Sequence, residues 1–270
     1  MKIKNTILLV LIMIGVFAVV GCGTEATTEN EQVTLKIGAS SVPHAEILEF
    51  IAPDLEEDGI DLEIVITTDG IQTNQQTADG DLDVNFFQHT PYLEQVNEDS
   101  GLDLVVVEGI HIEPFGIYSK EINSIDELSE GAQIAIPNNP SNFSRALELF
   151  ADNGIIELDE TKSGDFLLED ITENSKNLEF VPVDPPLLVH SLDDVEAAAI
   201  NTNYALEADF NPLEDSLIIE GADSPYVNVL VSRPDNKDSE PVQKLIDALT
   251  TEKVRGFILE NYGEAVVPAF

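Results

Sequence analysis

The sequence predicts an α/β protein with two lobes that begins after an N-terminal targeting segment. Three observations carry this prediction. Strand-like and helix-like patterns alternate along the chain from residue 33 onwards. A motif of strand, turn and polar residues occurs around 81–92 and again around 192–204. The first 22 residues differ from the rest, because they combine a basic start with one apolar run.

Composition excludes several classes of function. The chain has 270 residues, with 52 Asp and Glu against 12 Lys and Arg, and a formal charge of −40. This charge repels phosphates, which argues against nucleic-acid binding and against electrostatic docking on anionic lipid. The hydrophobic fraction of 43% is that of a globular protein, and a single cysteine excludes a disulfide framework.

The N-terminal segment has the features of a bacterial lipoprotein signal. The apolar run of 6–20 is too short for a comfortable membrane span, and Val19-Val20-Gly21-Cys22 resembles a lipobox. We therefore expect a signal peptide at 1–21, a diacylated Cys22 and a flexible tether over 22–32, with the protein held on the extracytoplasmic face of the cell membrane. The alternatives are a plain signal peptide with a stray cysteine and a noncleaved anchor.

The first half of the mature chain alternates strands and helices. Apolar and polar residues alternate over 33–38, which predicts a strand. Helical spacing of apolar residues predicts a helix over 45–55, which Pro53 would bend or end early. The remaining elements predicted here are a strand at 62–67, a helix at 72–78, a strand at 82–87, a helix at 92–97 and a strand at 102–107.

The second half continues the alternation, and together the two halves predict a mostly parallel sheet. Ser124 and Glu127 form a capping box that starts a short helix, and Asn153-Gly154 ends a helix over 141–152. The other predicted strands are 115–119, 133–136, 178–183, 195–200 and 226–232, and the other predicted helices are 241–249 and 252–262.

Polar residues follow the strands of the repeated motif, around 88–92 and 201–204. Ligands of open α/β sheets bind at the carboxyl ends of the strands, so these residues are candidates for a binding site. The alternative is a chance similarity between two ordinary turns that connect a strand to a helix.

Arg145 is the first candidate for a ligand contact. It is one of three arginines in the mature chain and lies near the start of a predicted helix, where free N–H groups and the helix dipole favour an anion. Its guanidinium matches a carboxylate with two donors. The alternative is a pair between Arg145 and one of the many acidic side chains of the surface.

The second candidate is the cluster over 86–92, which has three aromatic side chains and a histidine. Alternation along a strand places Phe86 and Phe87 on opposite faces, so only one can line a pocket. Such a cluster could surround an apolar or thioether side chain, and core packing at the end of a sheet is the alternative.

No motif predicts catalysis or a cofactor. The sequence has no HExxH, no glycine-rich phosphate loop, no GxSxG and no visible pair of nucleophile and base. The histidines, which are His44, His89, His111 and His190, do not have the spacing of a helical zinc pair. We expect no enzyme activity, no cofactor and no metal, with a composite site of histidines and carboxylates as the alternative.

Six segments in one order resemble the methionine-binding lipoproteins of the NlpA type, which are substrate-binding components of ABC importers. The matching segments are 87–93 (FQHTPYL), 113–119 (EPFGIYS), 136–145 (IPNNPSNFSR), 191–194 (SLDD), 200–204 (INTNY) and 224–228 (SPYVN). The resemblance implies the two-lobed fold of type II periplasmic binding proteins. It also implies one lobe of 33–112 plus 232–270, a second lobe of 113–231 and a ligand cleft between them.

By the same resemblance, the protein captures L-methionine and delivers it to the permease and ATPase subunits of an importer, as a monomer held by its lipid anchor. Arg145 would bind the α-carboxylate, and Asn201 and Asn228 the amino and carboxylate groups. Asn142 would shape the end of the helix. The side chains that would surround the thioether are Phe87, His89, Tyr92 and His111.

The sequence departs from the family pattern beside the expected pocket. Gly70 stands where the family commonly has a tyrosine that walls the side-chain pocket, Thr73 replaces a proline and His190 replaces an arginine. A lost wall would leave room for a larger ligand, so the alternatives are a methionine-containing dipeptide or another apolar amino acid. An alternative of another class is a metal-binding lipoprotein, which requires at least three of the histidines and nearby carboxylates in one coordination sphere.

Overall fold

The computed structural model describes residues 32–270, and every structural statement below concerns this part of the chain. The predicted signal peptide, Cys22 and nearly all of the tether lie outside the described residues. Within 32–270, no helix combines the length and the apolar character that crossing a bilayer requires.

Two mixed sheets form the framework. The first contains β1 (Val33–Ala39), β2 (Ile60–Ile66), β3 (Val84–His89), β4 (Val105–Ile112), β12 (Val227–Ser232) and β13 (Val267–Pro268). Their spatial order is β13–β4–β12–β3–β1–β2. Strand β1 runs parallel to β2 and β3, whereas β12 runs antiparallel to β3 and β4.

The second sheet contains β5 (Gly116–Tyr118), β6 (Gln133–Pro137), β9 (Glu179–Val183), β10 (Ala197–Ile200) and β11 (Ser216–Ile219), in the order β11–β5–β10–β6–β9. Strand β6 runs parallel to β9 and β10, and β5 runs antiparallel to β10 and β11. A short antiparallel pair joins β7 (Glu157–Leu158) and β8 (Ile171–Glu173). The expectation of mostly parallel sheets is therefore wrong, because the strands next to each crossing between the sheets are antiparallel.

The α-helices of the described residues cover these sheets. They are α1 (Glu46–Glu57), α2 (Gly70–Asp79), α3 (Thr90–Ser100), α4 (Pro140–Asp152), α5 (Leu188–Ser191), α6 (Thr202–Glu207), α7 (Pro212–Asp215), α8 (Glu240–Leu249) and α9 (Glu252–Tyr262). Helix α1 runs through Pro53 to Glu57, and Pro53 is exposed, so water can bind the carbonyl group that lacks a donor while Ile51 and Leu55 keep the helix packed on the core. The expected early end of this helix is therefore wrong.

Each sheet has its own hydrophobic core, which is the mark of two lobes. In the first, α1 and α8 pack on the sheet through Ile51, Leu55 and Leu245. In the second, Leu147 and Phe150 of α4 pack against the strands.

The chain crosses between the sheets through residues 113–115, after β4, and through 220–226, before β12. The predicted lobe limits of 33–112 plus 232–270 and 113–231 would place most of β12 in the second lobe. Because β12 pairs with β3 and β4, we propose that the first lobe resumes at 227 instead.

Acidic side chains lie at the surface of the folded part. Among residues 32–270, Glu113 is the only buried carboxylic side chain. Most of the described Lys and Arg side chains already form ion pairs, so the remaining acidic groups repel one another through solvent. We propose that a surface of this kind suits a saline or alkaline medium, where dissolved salt screens the repulsion between the acidic groups.

Raising NaCl from about 10 mM to 1 M is expected to increase the thermal midpoint of unfolding by about 5 °C, because the screening length falls from about 30 Å to about 3 Å. Differential scanning calorimetry measures the shift. Potassium chloride at the same ionic strength serves as the control and should give the same shift, because screening depends on ionic strength and not on the identity of the cation. Equal midpoints in dilute buffer and molar salt would contradict salt adaptation.

Candidate functional site

A cavity of about 570 Å³ lies where the carboxyl ends of strands from both sheets meet. Its lining includes Ser40 after β1, Gly70 after β2 and His89 at the end of β3 from the first sheet. Asn138 after β6 and Asn201 after β10 line it from the second sheet. The polar residues that follow the repeated motif therefore meet at one site, as the sequence predicts.

Seven of the eight predicted ligand contacts line this cavity, namely Phe87, His89, Tyr92, Asn142, Arg145, Asn201 and Asn228. His111 does not. It is completely buried behind the cavity, in contact with Glu113 and with the ring of Phe86. The expectation that His111 surrounds a ligand side chain is thus corrected, because its position on β4 directs it into the interior of the first lobe.

Arg145 forms an ion pair with an acidic side chain, Glu220, and it also lines the cavity. Its Nε donates to Oε1 of Glu220 at 2.7 Å, and its Nη2 donates to Oε2 of Glu220 and to the carbonyl oxygen of Glu113. The guanidinium carbon lies 4.1 Å from the centre of the Tyr226 ring. Nη1 has no hydrogen-bond partner within 32–270, and Arg145 lines the cavity although it is only 2% exposed. Glu220 therefore orients Arg145 and leaves Nη1 without a hydrogen-bond partner in the described part of the chain.

Asn142 links the two lobes at the cavity. Asn139 caps helix α4 by accepting the backbone N–H and the side-chain amide of Asn142. Oδ1 of Asn142 then accepts from Nδ2 of Asn201 and from Nε2 of His89, each at 3.0 Å. Since Nδ1 of His89 accepts the N–H of Tyr92, the proton of this histidine lies on Nε2. His89 of the first sheet thus donates across the cleft.

His89 is held in its neutral form. Burial, and then the positive charge of Arg145, lower the pKa of His89 to about 3. Neutral His89 adds no positive charge to the cavity. Among the described residues that line the cavity, Arg145 is therefore the one that carries a positive charge.

Strand β3 presents its two phenylalanines as alternation predicts. Phe86 is fully buried in the core, whereas Phe87 lines the cavity and meets Tyr92 edge to face, with ring centres 6.2 Å apart. Tyr92 also lies edge to face with His89. These side chains form an aromatic wall on the side of the first lobe.

Gly70 does not open the space that the missing tyrosine suggested. A Cβ atom at this position would lie 2.6 Å from Oη of Tyr92 and 2.8 Å from Cε2 of Phe87. The two aromatic side chains therefore occupy the place beside Gly70, and the expectation of a simple gap in the wall is corrected.

Substituting Gly70→Ala is expected to weaken ligand binding by about tenfold, because Phe87 and Tyr92 must move to admit the methyl group. Calorimetric titration measures the change. Gly256→Ala is the matched control, since nothing lies within 4 Å of a Cβ there. Equal affinity of the Gly70→Ala variant and the unsubstituted protein would show that the aromatic wall is adaptable.

A buried cluster lies beside the cavity at the first crossing. Oε1 of Glu113 is 2.8 Å from Nε2 of His111 and 3.5 Å from Nε2 of His44. Nε2 of His44 also lies 3.1 Å from Oδ1 of Asn228, and Oε2 of Glu113 accepts the N–H of Asn203. Burial lowers the pKa of His44 to about 4 and that of His111 to about 3, and it raises the pKa of Glu113.

This cluster meets the condition set for the metal-binding alternative, since it brings two histidines and a carboxylate together. The ligand atoms of His44, His111 and Glu113 lie within 4.8 Å of one another. His89 and His190 are not part of it.

Glu113 and Glu220 are the functional candidates that sequence reasoning missed. The sequence did contain a pointer to Glu113, because this residue begins the segment 113–119 that resembles the family. Glu220 had none, because nothing distinguishes it in sequence among 52 acidic residues.

The family follows from comparison with known proteins. A sequence model described as NlpA lipoprotein matches residues 35–270. The chain belongs to the NlpA lipoprotein family. This confirms the resemblance drawn from the motifs.

Two related proteins and one solved structure are similar to this NlpA-family chain over most of its length. The D-methionine-binding lipoprotein MetQ of Escherichia coli K12 is 41% identical over 248 residues, which are 90% of this chain and 89% of that protein. The methionine-binding lipoprotein MetQ of Bacillus subtilis 168 is 37% identical over 265 residues, 96% of each chain. A nutrient-binding protein of Burkholderia cenocepacia, solved bound to methionine, has a TM-score of 0.84 and 36% identity over 87% of this chain and 100% of its own. These similarities confirm the two-lobed α/β fold.

Proposed function

We propose that this NlpA-family protein is a substrate-binding lipoprotein that captures L-methionine in the cavity between its lobes. The observation that carries the proposal is a set of unpaired polar groups beside an aromatic wall. Nη1 of Arg145 and Nδ2 of Asn228 have no hydrogen-bond partner within 32–270, and neither has Oδ1 of Asn201.

These groups match the charges of an amino acid zwitterion. Two donors suit the α-carboxylate, and the amide oxygen of Asn201 suits the ammonium group. Phe87 and Tyr92 then contact the thioether, since sulfur packs favourably against aromatic rings. In this proposal His89 positions Asn142 through its hydrogen bond and contributes its ring to the wall.

We extend the proposal to the setting of the protein. A lipidated Cys22 holds it on the extracytoplasmic face of the cell membrane, where it acts as a monomer that delivers ligand to the permease and ATPase subunits of an ABC importer. It binds its ligand without chemical conversion and needs no cofactor. The support is the family match and the names of relatives that are methionine-binding lipoproteins.

Calorimetric titration of ligand-free protein tests the proposal. L-methionine is expected to bind with one-to-one stoichiometry, and D-methionine, leucine and a glycyl-methionine dipeptide are titrated beside it. Tighter binding of the dipeptide would favour the alternative ligand class. No heat with either methionine enantiomer, together with no ligand released from the purified protein on denaturation, would overturn the assignment.

A further inference from the structure

We propose that His44, His111 and Glu113 form a binding site for one divalent transition-metal ion of the Zn²⁺ type, next to the amino acid site and in contact with it through Asn228. The three residues come from three places in the chain. His44 precedes helix α1, His111 lies on β4, and Glu113 begins the first crossing between the sheets. The proposal does not depend on which amino acid the cavity binds.

The spacing of the donor atoms fits a small ion. A tetrahedral zinc site has ligand bonds of about 2.0–2.2 Å, which separates its donor atoms by roughly 3.3 Å. Oε1 of Glu113 lies 2.8 Å from one histidine Nε2 and 3.5 Å from the other, and all three ligand atoms lie within 4.8 Å of one another, so the side chains need only rearrange locally to surround an ion. Oδ1 of Asn228, at 3.1 Å from Nε2 of His44, offers a further oxygen beside the same point.

The chemistry of the donor set also fits. Two imidazoles and one glutamate are a ligand set that zinc uses in proteins, and imidazole suits transition metals better than Mg²⁺ or Ca²⁺. Nδ1 of His44 lies 2.6 Å from Oγ of Ser40, which fixes the orientation of that ring as outer contacts of metal sites do.

The charge balance of the cluster favours a cation. Glu113 is 5% exposed, and Arg145 donates to its backbone oxygen and not to its carboxylate. A buried carboxylate without a paired cation is costly, so Glu113 either binds a proton or binds a metal ion with the two histidines. Glu113 and Asn228 line the cavity, which gives an ion a route to the cluster.

Titration with Co²⁺ followed by visible absorption tests the site, with millimolar Mg²⁺ present to occupy surface carboxylates. We expect one equivalent of Co²⁺ with the intense bands of tetrahedral coordination, which Zn²⁺ then displaces. His44→Gln and His111→Gln are each expected to weaken Co²⁺ binding by about tenfold or more. His190→Gln is the matched control, since His190 is exposed and lies outside the cluster.

Two results would overturn the proposal. One is a spectrum of only weak, six-coordinate Co²⁺, and the other is equal affinity in the two cluster variants and the control. Circular dichroism establishes that each variant is folded, and if His111→Gln does not fold, His44→Gln alone decides the question. Methionine titration of the same variants is a separate measurement, so failure of the metal site leaves the proposed function intact.

Discussion

Replacing Arg145 by alanine is expected to weaken methionine binding by about 100-fold or more. A hydrogen bond to a charged group contributes about 1.5–3 kcal/mol, and this variant also removes the cation of the cavity lining that would face the carboxylate. Isothermal titration calorimetry on the unsubstituted and substituted proteins measures the loss. Arg145→Lys should recover little of the affinity, because an ammonium group cannot reproduce the fixed geometry that Glu220 gives the guanidinium.

The Arg145→Ala variant is also expected to lower the free energy of unfolding by about 3 kcal/mol, because the carboxylate of Glu220 stays largely buried but loses its positively charged partner. Arg255→Ala is the matched control. Arg255 pairs with the exposed Glu252 on helix α9, so its loss should change neither affinity nor stability appreciably. An Arg145→Ala protein that is folded and binds methionine as tightly as the original would remove Arg145 from the site.

The local features of the site could be predicted because short stretches of sequence determine them. The residues 138–145 place an asparagine cap, a proline in the first turn and Arg145 in one helix, and α4 begins as this pattern requires. Alternation along a single strand similarly separates Phe86 from Phe87. Such features need no knowledge of distant contacts.

The features that were missed depend on contacts between distant parts of the chain. Glu220 reaches Arg145 from 75 positions away, and no local pattern selects it from the other acidic residues. His111 is adjacent in sequence to residues near the cleft, but the pairing of β4 with β12 buries it. The place of β12 in the first sheet is likewise a property of strand pairing, which is why we propose that the first lobe resumes at 227 and not at 232.

Gly70 shows how a residue-by-residue comparison can mislead. A glycine in place of a large side chain removes volume at one position, but a cavity results only where neighbouring side chains do not occupy that volume. Here Phe87 and Tyr92 come so near Gly70 that even a methyl group would collide with them. The shape of the cavity is therefore determined by Phe87 and Tyr92 as well as by the residue at position 70.

Lowering the pH from 7 to 5 is expected to reduce the free energy of unfolding by several kcal/mol, with an upper limit of about 6 kcal/mol from three histidines. In the folded state the pKa values of His44, His89 and His111 lie at about 3–4, whereas an unfolded histidine has a pKa near 6.5. Between these values the unfolded chain binds more protons, so stability is present above pH 6.5 and is lost as the pH falls. Each histidine contributes a loss of about 2 kcal/mol over this interval.

Glu113 opposes part of this loss. Burial raises its pKa in the folded state, so the folded protein takes up a proton there that the unfolded chain does not, and acidification stabilises the fold through this group. Because Glu113 contacts His44 and His111, these three groups titrate together. His89 does not contact Glu113, and it therefore gives the clearest test.

Urea unfolding in molar NaCl measures how much His89 contributes to the loss of stability between pH 7 and pH 5. The two variants to compare are His89→Gln and His190→Gln. The glutamine side chain can still donate to Asn142 but does not titrate. The His89→Gln variant should therefore lose about 2 kcal/mol less free energy of unfolding between pH 7 and pH 5 than the unsubstituted protein. The His190→Gln control should behave like the unsubstituted protein, since His190 is exposed. If His89→Gln lost as much stability as the control, His89 would have to accept its proton within the folded cleft. The hydrogen bond to Asn142 would survive, because Nε2 donates in imidazolium as well, but Nδ1 could then no longer accept the N–H of Tyr92.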